Sequence, residues 1–482
     1  MVEPITYHLK TQAPNSYVEK LFDFIQNQYL LAQKQRFTNF TRQTTDKSDY
    51  LSYVVTDTAG KHLLQVEAKS DDPIEIKITP LDSNVTPTMV EEAKQDLLIA
   101  LEMFQENARK STLFFAWREG EEIVPEAYTK PEKSFNRLFL ETQILFFVVF
   151  IVFGSVIFIG IILFQPNLFW VAPLVLIAIQ FIFVIYSPAL IERTADWHII
   201  ESNPVIHLLE FYLPMGDKKD FKEMFSREQI IAVKKEIYDE VIAKRGEIDL
   251  KEAQQILVKH GIPIQLENMK AKKINVYALI KKIADIFKFP MPKIVVSNTM
   301  VPNAAATGPS PKRGLVLITT GLLVQLDEDE VESVLGHEFG HLKGRDPLLL
   351  FGLTSAEFLF RFYVLFPLFP LIFSTLLFFV YFWAVMVVIF FIAKFFEARA
   401  DLVSANMIGQ PLVLAESLEK IGFQRLLYER APSFRLQEWV GLDPHPPIYF
   451  RVDRLEKLGQ QKVNHPLARS ITDVLKGFAA SL

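Results

Sequence analysis

Four long apolar runs set the predicted architecture of the chain. They lie at residues 144–164, 168–190, 348–367 and 371–393, and a short segment containing a proline separates the two runs of each pair. Each run is long enough to cross the hydrocarbon core of a bilayer as a helix. The pattern therefore predicts two membrane hairpins, with four transmembrane helices in all, and soluble segments before, between and after them.

The segment before the first hairpin has the periodicities of a soluble domain. Apolar residues recur at helical spacing in two stretches, and three shorter stretches have the composition of strands bounded by turn residues. The predicted helices are 16–32 and 89–107, and the predicted strands are 50–55, 62–68 and 74–78. We expect a small α+β domain over residues 1–130, with no chemistry assigned to it.

The soluble segment between the hairpins changes character along its length. Its first part is rich in charge and has helical periodicity over residues 228–243 and 250–260, each followed by a glycine. Two apolar runs further on, 292–297 and 315–319, have the length and composition of buried strands. This segment is predicted to be a second α+β region.

The two predicted strands enclose a short segment of small residues. It consists of Asn303, Ala304, Ala305 and Ala306, leads to Gly308, and has prolines on both sides. An edge strand with small side chains lets an extended peptide approach and pair with its backbone. Together with the motif described next, this segment is predicted to bind substrate. Without that motif, an ordinary loop would be the favoured interpretation.

A well-capped helix begins after these strands. Asp327 is suited to the N-cap and Glu330, three residues later, to the reciprocal position of a capping box, with Glu328 and Asp329 adding negative charge to the first turn. These signals fix where the helix starts. They place the His-Glu-x-x-His sequence that follows on a helix whose register is known.

That sequence consists of His337, Glu338 and His341 with two residues between. Four residues is slightly more than one helical turn, so both imidazoles lie on one face and can bind one metal ion, which we expect to be zinc. A catalytic zinc site needs a third protein ligand and keeps a position for water, whose pKa falls to about 7. Glu338 is the predicted general base. The alternative is that the histidines only decorate a polar helix face.

Two further groups supply the missing parts of such a site. Directly after the fourth apolar run, Glu397 is the expected third ligand, and Asp401, one turn later, can orient a ligating histidine. Because Arg399 lies between them, a helix end anchored at the membrane surface is the competing interpretation. Later, the proline-led segment from His445 to Arg451 contains two groups that could stabilise an oxyanion. The competing interpretation of this segment is a plain turn before a surface helix.

Composition narrows the possible functions. Of 482 residues, half are hydrophobic and 42 are Phe, which fits membrane spans. The net charge of -5 gives no global basic field for nucleic acid. The chain has no Cys, so disulfides and thiolate ligands are excluded and histidine and carboxylate must bind the metal. The N-terminus lacks the pattern of a signal peptide, so the first segment is expected to stay where it is made.

Basic residues around the apolar runs predict the orientation. The flanking residues are Lys130, Lys133, Arg137, Arg193, Lys343, Arg345, Lys394 and Arg399. All of them lie at the same ends of the runs, and neither hairpin tip contains a basic residue, so both soluble portions should face the cytoplasm. Within the third run, Glu357 and Arg361 are one turn apart and are expected to form an ion pair inside the bundle.

With these motifs in place, the chain resembles the membrane-bound HtpX-like zinc metalloproteases, relatives of the CAAX prenyl proteases. The resemblance covers roughly residues 290–460 and the four-span layout. It implies that His337, His341 and Glu397 bind zinc and that Glu338 is catalytic. It also implies that residues 303–306 line the substrate cleft and that His445 and Arg451 support the transition state. Asp346 fits the family pattern, but we expect it to be the N-cap before Pro347.

Two departures from the family bear on the substrate. HtpX-like proteins usually begin with membrane helices, whereas a domain precedes them here, and the CAAX proteases enclose a chamber with more membrane helices than this chain offers. The resemblance to the HtpX-like proteases, which act in quality control, implies a plasma-membrane endopeptidase that cleaves misfolded or membrane proteins at the cytoplasmic face, with one Zn²⁺ per chain. Prenyl-protein processing of the CAAX type and a scaffold with a structural zinc site remain the alternatives.

The predicted fold is a mainly α integral membrane protein with four transmembrane helices, a zincin-type α+β metalloprotease domain of the gluzincin kind and an N-terminal soluble α+β domain. The predicted boundaries are 1–130 for the soluble domain, 138–191 and 347–393 for the hairpins, and 192–346 and 394–482 for the protease region. The expected partners are protein or peptide substrates and the lipid bilayer, without nucleic acid, and the oligomeric state is left open.

Overall fold

The computed structural model describes most of the chain. The described residues are 4–9, 15–44, 49–57, 59–70, 73–110, 112–120, 123, 170–212, 225–262, 264–373, 376–429, 432–459 and 461–482. The first predicted span, residues 144–164, lies outside them. The chain forms two compact units: unit 1 comprises Met1–Trp117 and His207–Lys273, and unit 2 comprises Arg118–Ile206 and Ile274–Leu482.

Unit 1 contains a five-stranded antiparallel sheet and two helices. Its strands are Ile5–Leu9, Phe37–Thr44, Asp49–Thr56, His62–Lys69 and Ile74–Pro80. Numbered along the chain, they lie across the sheet in the order first, fifth, fourth, third and second. The helices are Asn15–Phe24, which continues as a π-helix over Ile25–Leu30, and Pro87–Lys110. The three strands and two helices predicted for this segment are confirmed. Two further strands of this sheet, the first and second, were not predicted, and neither was the strand Thr112–Arg118 that follows the second helix.

The other described residues of unit 1 include three strands and a set of charged helical segments. The strands Thr112–Arg118, Val205–Tyr212 and Met269–Asn275 form a sheet in that spatial order and lie mostly in this unit. The central strand is buried along its whole length, as expected of a strand covered on both faces. The helix Arg227–Ile237 continues as a π-helix over Tyr238–Ile242 and a short α-helix over Ala243–Arg245, and these together cover the predicted helix 228–243. The helix Leu250–Lys259 agrees with the predicted helix 250–260.

Unit 2 contains a four-stranded sheet and most of the helices. In space the strands run Ala304–Thr307, Leu315–Thr319, Lys293–Ser297 and Trp197–Ile199; the middle pair is parallel and both outer strands are antiparallel to their neighbours. Ala304–Thr307 is an edge strand, as predicted. The helices around the sheet are Val276–Phe287, Thr320–Gln325, Glu328–Gly344, Leu377–Ile408, Pro411–Glu429, Pro432–Val440, Ile448–Leu458 and Pro466–Ala479.

Three helices among the described residues are long and apolar enough to cross a membrane. They are Ala172–Thr194, Asp346–Leu368 and Leu377–Ile408. The last was predicted to end near residue 393, but it continues to Ile408 because no helix breaker occurs before Gly409, which has a positive φ of 83°. Consequently Glu397 lies within this helix, which we call the ligand helix, and not after it.

A close contact between two helices brings the motif residues together. The motif helix, Glu328–Gly344, begins with the predicted capping box, in which the Glu330 carboxylate accepts a hydrogen bond from Asp327 N–H at 2.9 Å. Gly340 faces the ligand helix so closely that a Cβ there would lie 3.0 Å from Ala400 Cα. Small residues at this crossing therefore set how near the two helices lie.

Candidate metal centre and active site

Three predicted ligands meet where the motif helix and the ligand helix cross. His337 Nε2 and His341 Nε2 are 3.1 Å apart, and the Glu397 carboxylate oxygens lie 3.3 Å from His337 Nε2 and 3.4 Å from His341 Nε2. In a tetrahedral zinc site with bonds of about 2.0–2.1 Å, two ligand atoms are separated by about 3.3–3.4 Å. The spacing of these three residues therefore fits one zinc ion.

His337 is held from behind by a buried ion pair. Its Nδ1 lies 2.9 Å from Asp401 Oδ1, and Arg451 donates to both Asp401 oxygens, at 3.0 Å from Nε and 2.7 Å from Nη2. Asp401 and Arg451 are both buried. With Nδ1 directed at the carboxylate, Nε2 is the atom left to face a metal. These contacts of Arg451 support Asp401, and the predicted oxyanion contact of Arg451 stays a prediction.

His341 has a matching pair that the sequence did not predict. Its Nδ1 lies 2.7 Å from Asp346 Oδ2, and Arg399 Nη2 donates to the same oxygen at 2.5 Å. The expectation that Asp346 is an N-cap was wrong. Arg345, with a φ of 55°, occupies that position between the two helices, so Asp346 opens the following helix and its carboxylate turns back towards His341.

The two imidazoles are more basic than free histidine. Burial works to lower the pKa of His337, but its hydrogen bonds with Asp401 and Glu397 outweigh burial and raise the pKa to about 10. Burial opposes the shift at His341 too, and the charge of Glu397 with the bond to Asp346 raises the pKa of His341. The carboxylates around the two imidazoles therefore favour positive charge at this position, which indicates a site suited to a cation.

The predicted general base lies against the edge strand. Glu338 is half-buried, and its Oε2 accepts a hydrogen bond from Ala306 N–H at 3.0 Å. Successive residues in a strand direct their main-chain groups to opposite sides, so Ala304, like Ala306, directs its main chain away from the neighbouring strand. The outer edge of this strand thus faces the side on which Glu338 lies.

A membrane-length helix reaches the same strand. In Ala172–Thr194, Ser187 Oγ lies 3.4 Å from Thr307 Oγ1, the last residue of the edge strand. Near the end of this helix, Ile191 packs against Val295 and Leu315 in the core of the sheet. The sheet that carries the edge strand is therefore attached directly to an apolar helix.

His445 lies beside the metal ligands on a loop. Its Nε2 is 3.7 Å from Glu397 Oε2, while its backbone N–H and Nδ1 face Asp443 Oδ1 at 2.7 and 2.8 Å. Burial tends to raise the pKa of Asp443, but the hydrogen bonds and charge of His445 and the charge of Arg425 lower the pKa of Asp443 below its usual range. Sequence reasoning missed Asp443, although its position two residues before His445 is typical of an Asx turn.

The fold thus brings together most of the residues singled out from the sequence. His337, Glu338, His341, Glu397, Asp401, His445 and Arg451 lie in one region of unit 2, with Ala306 of the edge strand against Glu338. Asn303 lies at the start of that strand, where its N–H donates to Thr319 Oγ1 at 2.9 Å. The predicted pair of Glu357 and Arg361 also forms, at 3.0 Å, elsewhere in the same unit.

Comparisons with known proteins point to one family. Residues 270–459 match peptidase family M48. The protease HtpX homolog 2 of Methanosarcina acetivorans is 31% identical over 223 residues, which are 39% of this chain and 73% of the relative. The protease HtpX homolog of Tropheryma whipplei strain TW08/27 is 32% identical over 198 residues, covering 36% and 68% respectively. The crystal structure of S. mikatae Ste24p aligns with 78% of this chain and with 100% of the Ste24p chain, at 14% identity. The TM-score of this alignment is 0.30, and no conclusion about the fold is based on it.

Proposed function

Because the chain belongs to peptidase family M48, alongside the HtpX-type proteases, we propose that it is a zinc-dependent endopeptidase bound to the plasma membrane. The observation that carries this proposal is the spacing of His337, His341 and Glu397, whose ligand atoms are 3.1 to 3.4 Å apart. Glu338 follows His337 on the same helix. A site with three protein ligands leaves one position open, as catalytic zinc sites require.

Zinc bound by these three residues would polarise the scissile carbonyl and acidify the attacking water. Glu338 accepts the proton of that water and later returns a proton to the leaving amine. The Glu338 carboxylate accepts a hydrogen bond from Ala306 N–H at 3.0 Å, so it lies against the strand that we propose binds the peptide. We assign stabilisation of the developing oxyanion to His445, whose Nε2 lies 3.7 Å from Glu397 Oε2.

Substrate binds in this proposal as an added strand. Ala304 and the C=O group of Ala306 are directed to the outer edge, beside the Ala306 N–H that Glu338 binds, and small side chains at 304–306 leave room for a peptide. The edge binds backbone and not a particular side chain, so specificity would come from the unfolded or extended state of the substrate. This favours misfolded proteins over folded ones.

Membrane proteins are the proposed substrate class, at the cytoplasmic face. The contact of Ser187 with Thr307 links an apolar helix to the edge strand, and the ligand helix carries both an apolar segment and Glu397. Segments emerging from a bilayer would therefore meet the site directly. The proposed orientation rests on the basic residues at the cytoplasmic ends of the four proposed spans.

The test is cleavage of a mixed membrane-protein fraction by the purified full chain, with Glu338→Gln as the inactive control. We expect new peptide fragments that vanish on chelation and return when zinc is restored, and none from Glu338→Gln. Fragments from the wild type and Glu338→Gln alike, or fragments unaffected by chelation, would reject a zinc peptidase. A fourth protein ligand in a metal-coordination study would instead favour the structural-site scaffold.

A further inference from the structure

The loop that carries His445 is fixed by an arrangement of charges that neither the motifs nor the relatives assign. Asp443 lies at its centre. Its Oδ1 accepts from His445 N–H and Nδ1 at 2.7 and 2.8 Å, while its Oδ2 lies 3.2 Å from Arg425 Nη1. The Asp443 carbonyl oxygen accepts a hydrogen bond from Lys394 Nζ. One residue thus joins the loop to two helices.

Lys394 makes this arrangement unusual. Its side chain is buried, and it lies on the ligand helix three residues before Glu397. A buried ammonium group is costly unless hydrogen-bonded, so the bond from Lys394 to the Asp443 carbonyl oxygen stabilises the loop in this position. The helix that carries the third ligand therefore also sets the position of the His445 loop.

The far side of the loop is anchored as well. Glu429 accepts hydrogen bonds from the backbone N–H groups of Ile448 and Tyr449, both at 2.9 Å, where the next helix begins. Pro446 and Pro447, buried between these anchors, restrict the backbone further. Little freedom remains for His445 except rotation of its ring.

Asp443 removes that freedom too. With Nδ1 directed at Asp443, the imidazole presents Nε2 on the other side, 3.7 Å from Glu397 Oε2. A carboxylate that accepts a hydrogen bond from one ring nitrogen fixes the orientation of a histidine, and so fixes the direction in which the second nitrogen points. We infer that Asp443, held by Arg425 and Lys394, is a positioning residue that aims His445 Nε2 at the reacting carbonyl.

This inference rests on the proposed function, because it assigns Asp443 a task only if His445 acts in peptide hydrolysis. The charged groups around the loop are Lys394, Arg425, Glu397, Glu429 and Glu438, the last lying 2.5 Å from Arg425. None of them approaches His445 Nδ1 as Asp443 does among the described contacts. Asp443 is thus the group whose removal should free the ring.

The experiment is a double-mutant cycle on the zinc-loaded full chain, with kcat and KM for an unfolded protein substrate. The variants are Asp443→Asn, His445→Ala and the double variant, with Asp453→Asn as the control. Asp453 is an exposed carboxylate on the following helix that pairs with Lys457 at 2.6 Å, so its change should leave kcat unaltered. Zinc content is measured for every variant.

We expect His445→Ala to lower kcat by about a hundredfold to a thousandfold, as loss of an oxyanion donor does. Asp443→Asn should lower kcat by about tenfold to a hundredfold, the usual effect of losing a carboxylate that orients a histidine, with KM and zinc content unchanged. In the His445→Ala background, Asp443→Asn should have no further effect, because residues that act as a unit are not additive.

The outcomes separate the inference from the proposed function. Equal losses from Asp443→Asn in both backgrounds, or no loss in either, would overturn the positioning role. Normal kcat in His445→Ala would overturn that role together with the assignment of His445, and an inactive wild type would overturn the proposed function itself. If Asp443→Asn does not fold, Arg425→Gln replaces it in the cycle under the same criteria.

Discussion

Zinc affinity should depend on one glycine that is not itself a metal ligand. Gly340 lies on the motif helix one residue before His341, and a Cβ at this position would lie 3.0 Å from Ala400 Cα and 3.1 Å from Ala400 O. Both atoms are backbone atoms, so no side chain can rotate away. Gly340→Ala must therefore push the motif helix and the ligand helix apart.

The size of the effect follows from the separation that the new methyl group needs. An ordinary van der Waals contact begins near 3.4 Å, so the helices must separate by roughly 0.4 Å, whereas zinc–ligand distances tolerate only about 0.2 Å. Overpacking of this kind typically costs about 1–3 kcal/mol. In the metal-free variant the helices separate and the clash is relieved. Zinc binding must bring the helices back together, so the cost of overpacking is subtracted from the binding free energy. The zinc Kd should therefore rise by about 5- to 150-fold.

The assay is competition for zinc between the purified variant and a chelator of known affinity. Gly352→Ala is the matched control, since Gly352 is also helical but has open space where its Cβ would lie. Both changes bring the same gain in helix propensity, so a difference between them reports the clash. Wild-type affinity in Gly340→Ala would refute the view that the helix crossing sets the ligand geometry.

Further expectations concern the carboxylate behind His341, the protons of the site and the orientation in the membrane. Asp346→Asn should weaken zinc binding by about tenfold to a hundredfold in the same competition assay; an unchanged Kd would make its contact with His341 incidental. Since the pKa of His337 is raised to about 10 in the metal-free protein and zinc needs the neutral ring, zinc binding near pH 8 should release at least one proton. Calorimetry in buffers of different ionisation enthalpy measures this, and no release would contradict the raised pKa. Cysteines introduced into residues 225–262 or 461–482 should be inaccessible to labelling from outside intact cells; external labelling would reverse the topology.

The regular elements with strong periodicity were predictable from the sequence. Leu315–Thr319 begins and ends where the apolar run does, and Leu250–Lys259 differs from its prediction by one residue. Phe37–Thr44 was missed because polar residues dominate it and its pairing shifts register at Asn39, which has a φ of 53°. Its strand conformation is imposed by the neighbouring strand, which a pattern within one segment does not reveal.

Only part of the candidate site was predictable from the sequence, for the same reason. The four-residue spacing of His337 and His341 was enough to predict that they share one face of a helix. The same spacing between Glu397 and Asp401 suggested that these two acidic residues complete the site. The contact of Asp346 with His341 depends on the left-handed conformation of Arg345, and no sequence signal favours that conformation in an arginine. Asp443 gains its importance from a helix lysine 49 residues away in sequence, a contact that only the folded chain creates.

The central claim is that His337, His341 and Glu397 bind zinc while Glu338 does chemistry beside it. Metal analysis and cleavage of an unfolded protein substrate, measured side by side on two purified variants, test it most directly. Glu338→Gln should keep near-stoichiometric zinc and lose about two to four orders of magnitude of activity, because a general base is removed and no ligand is lost. Glu397→Gln should lose zinc and activity together. Wild-type zinc content in Glu397→Gln would contradict the claim and place the third ligand elsewhere.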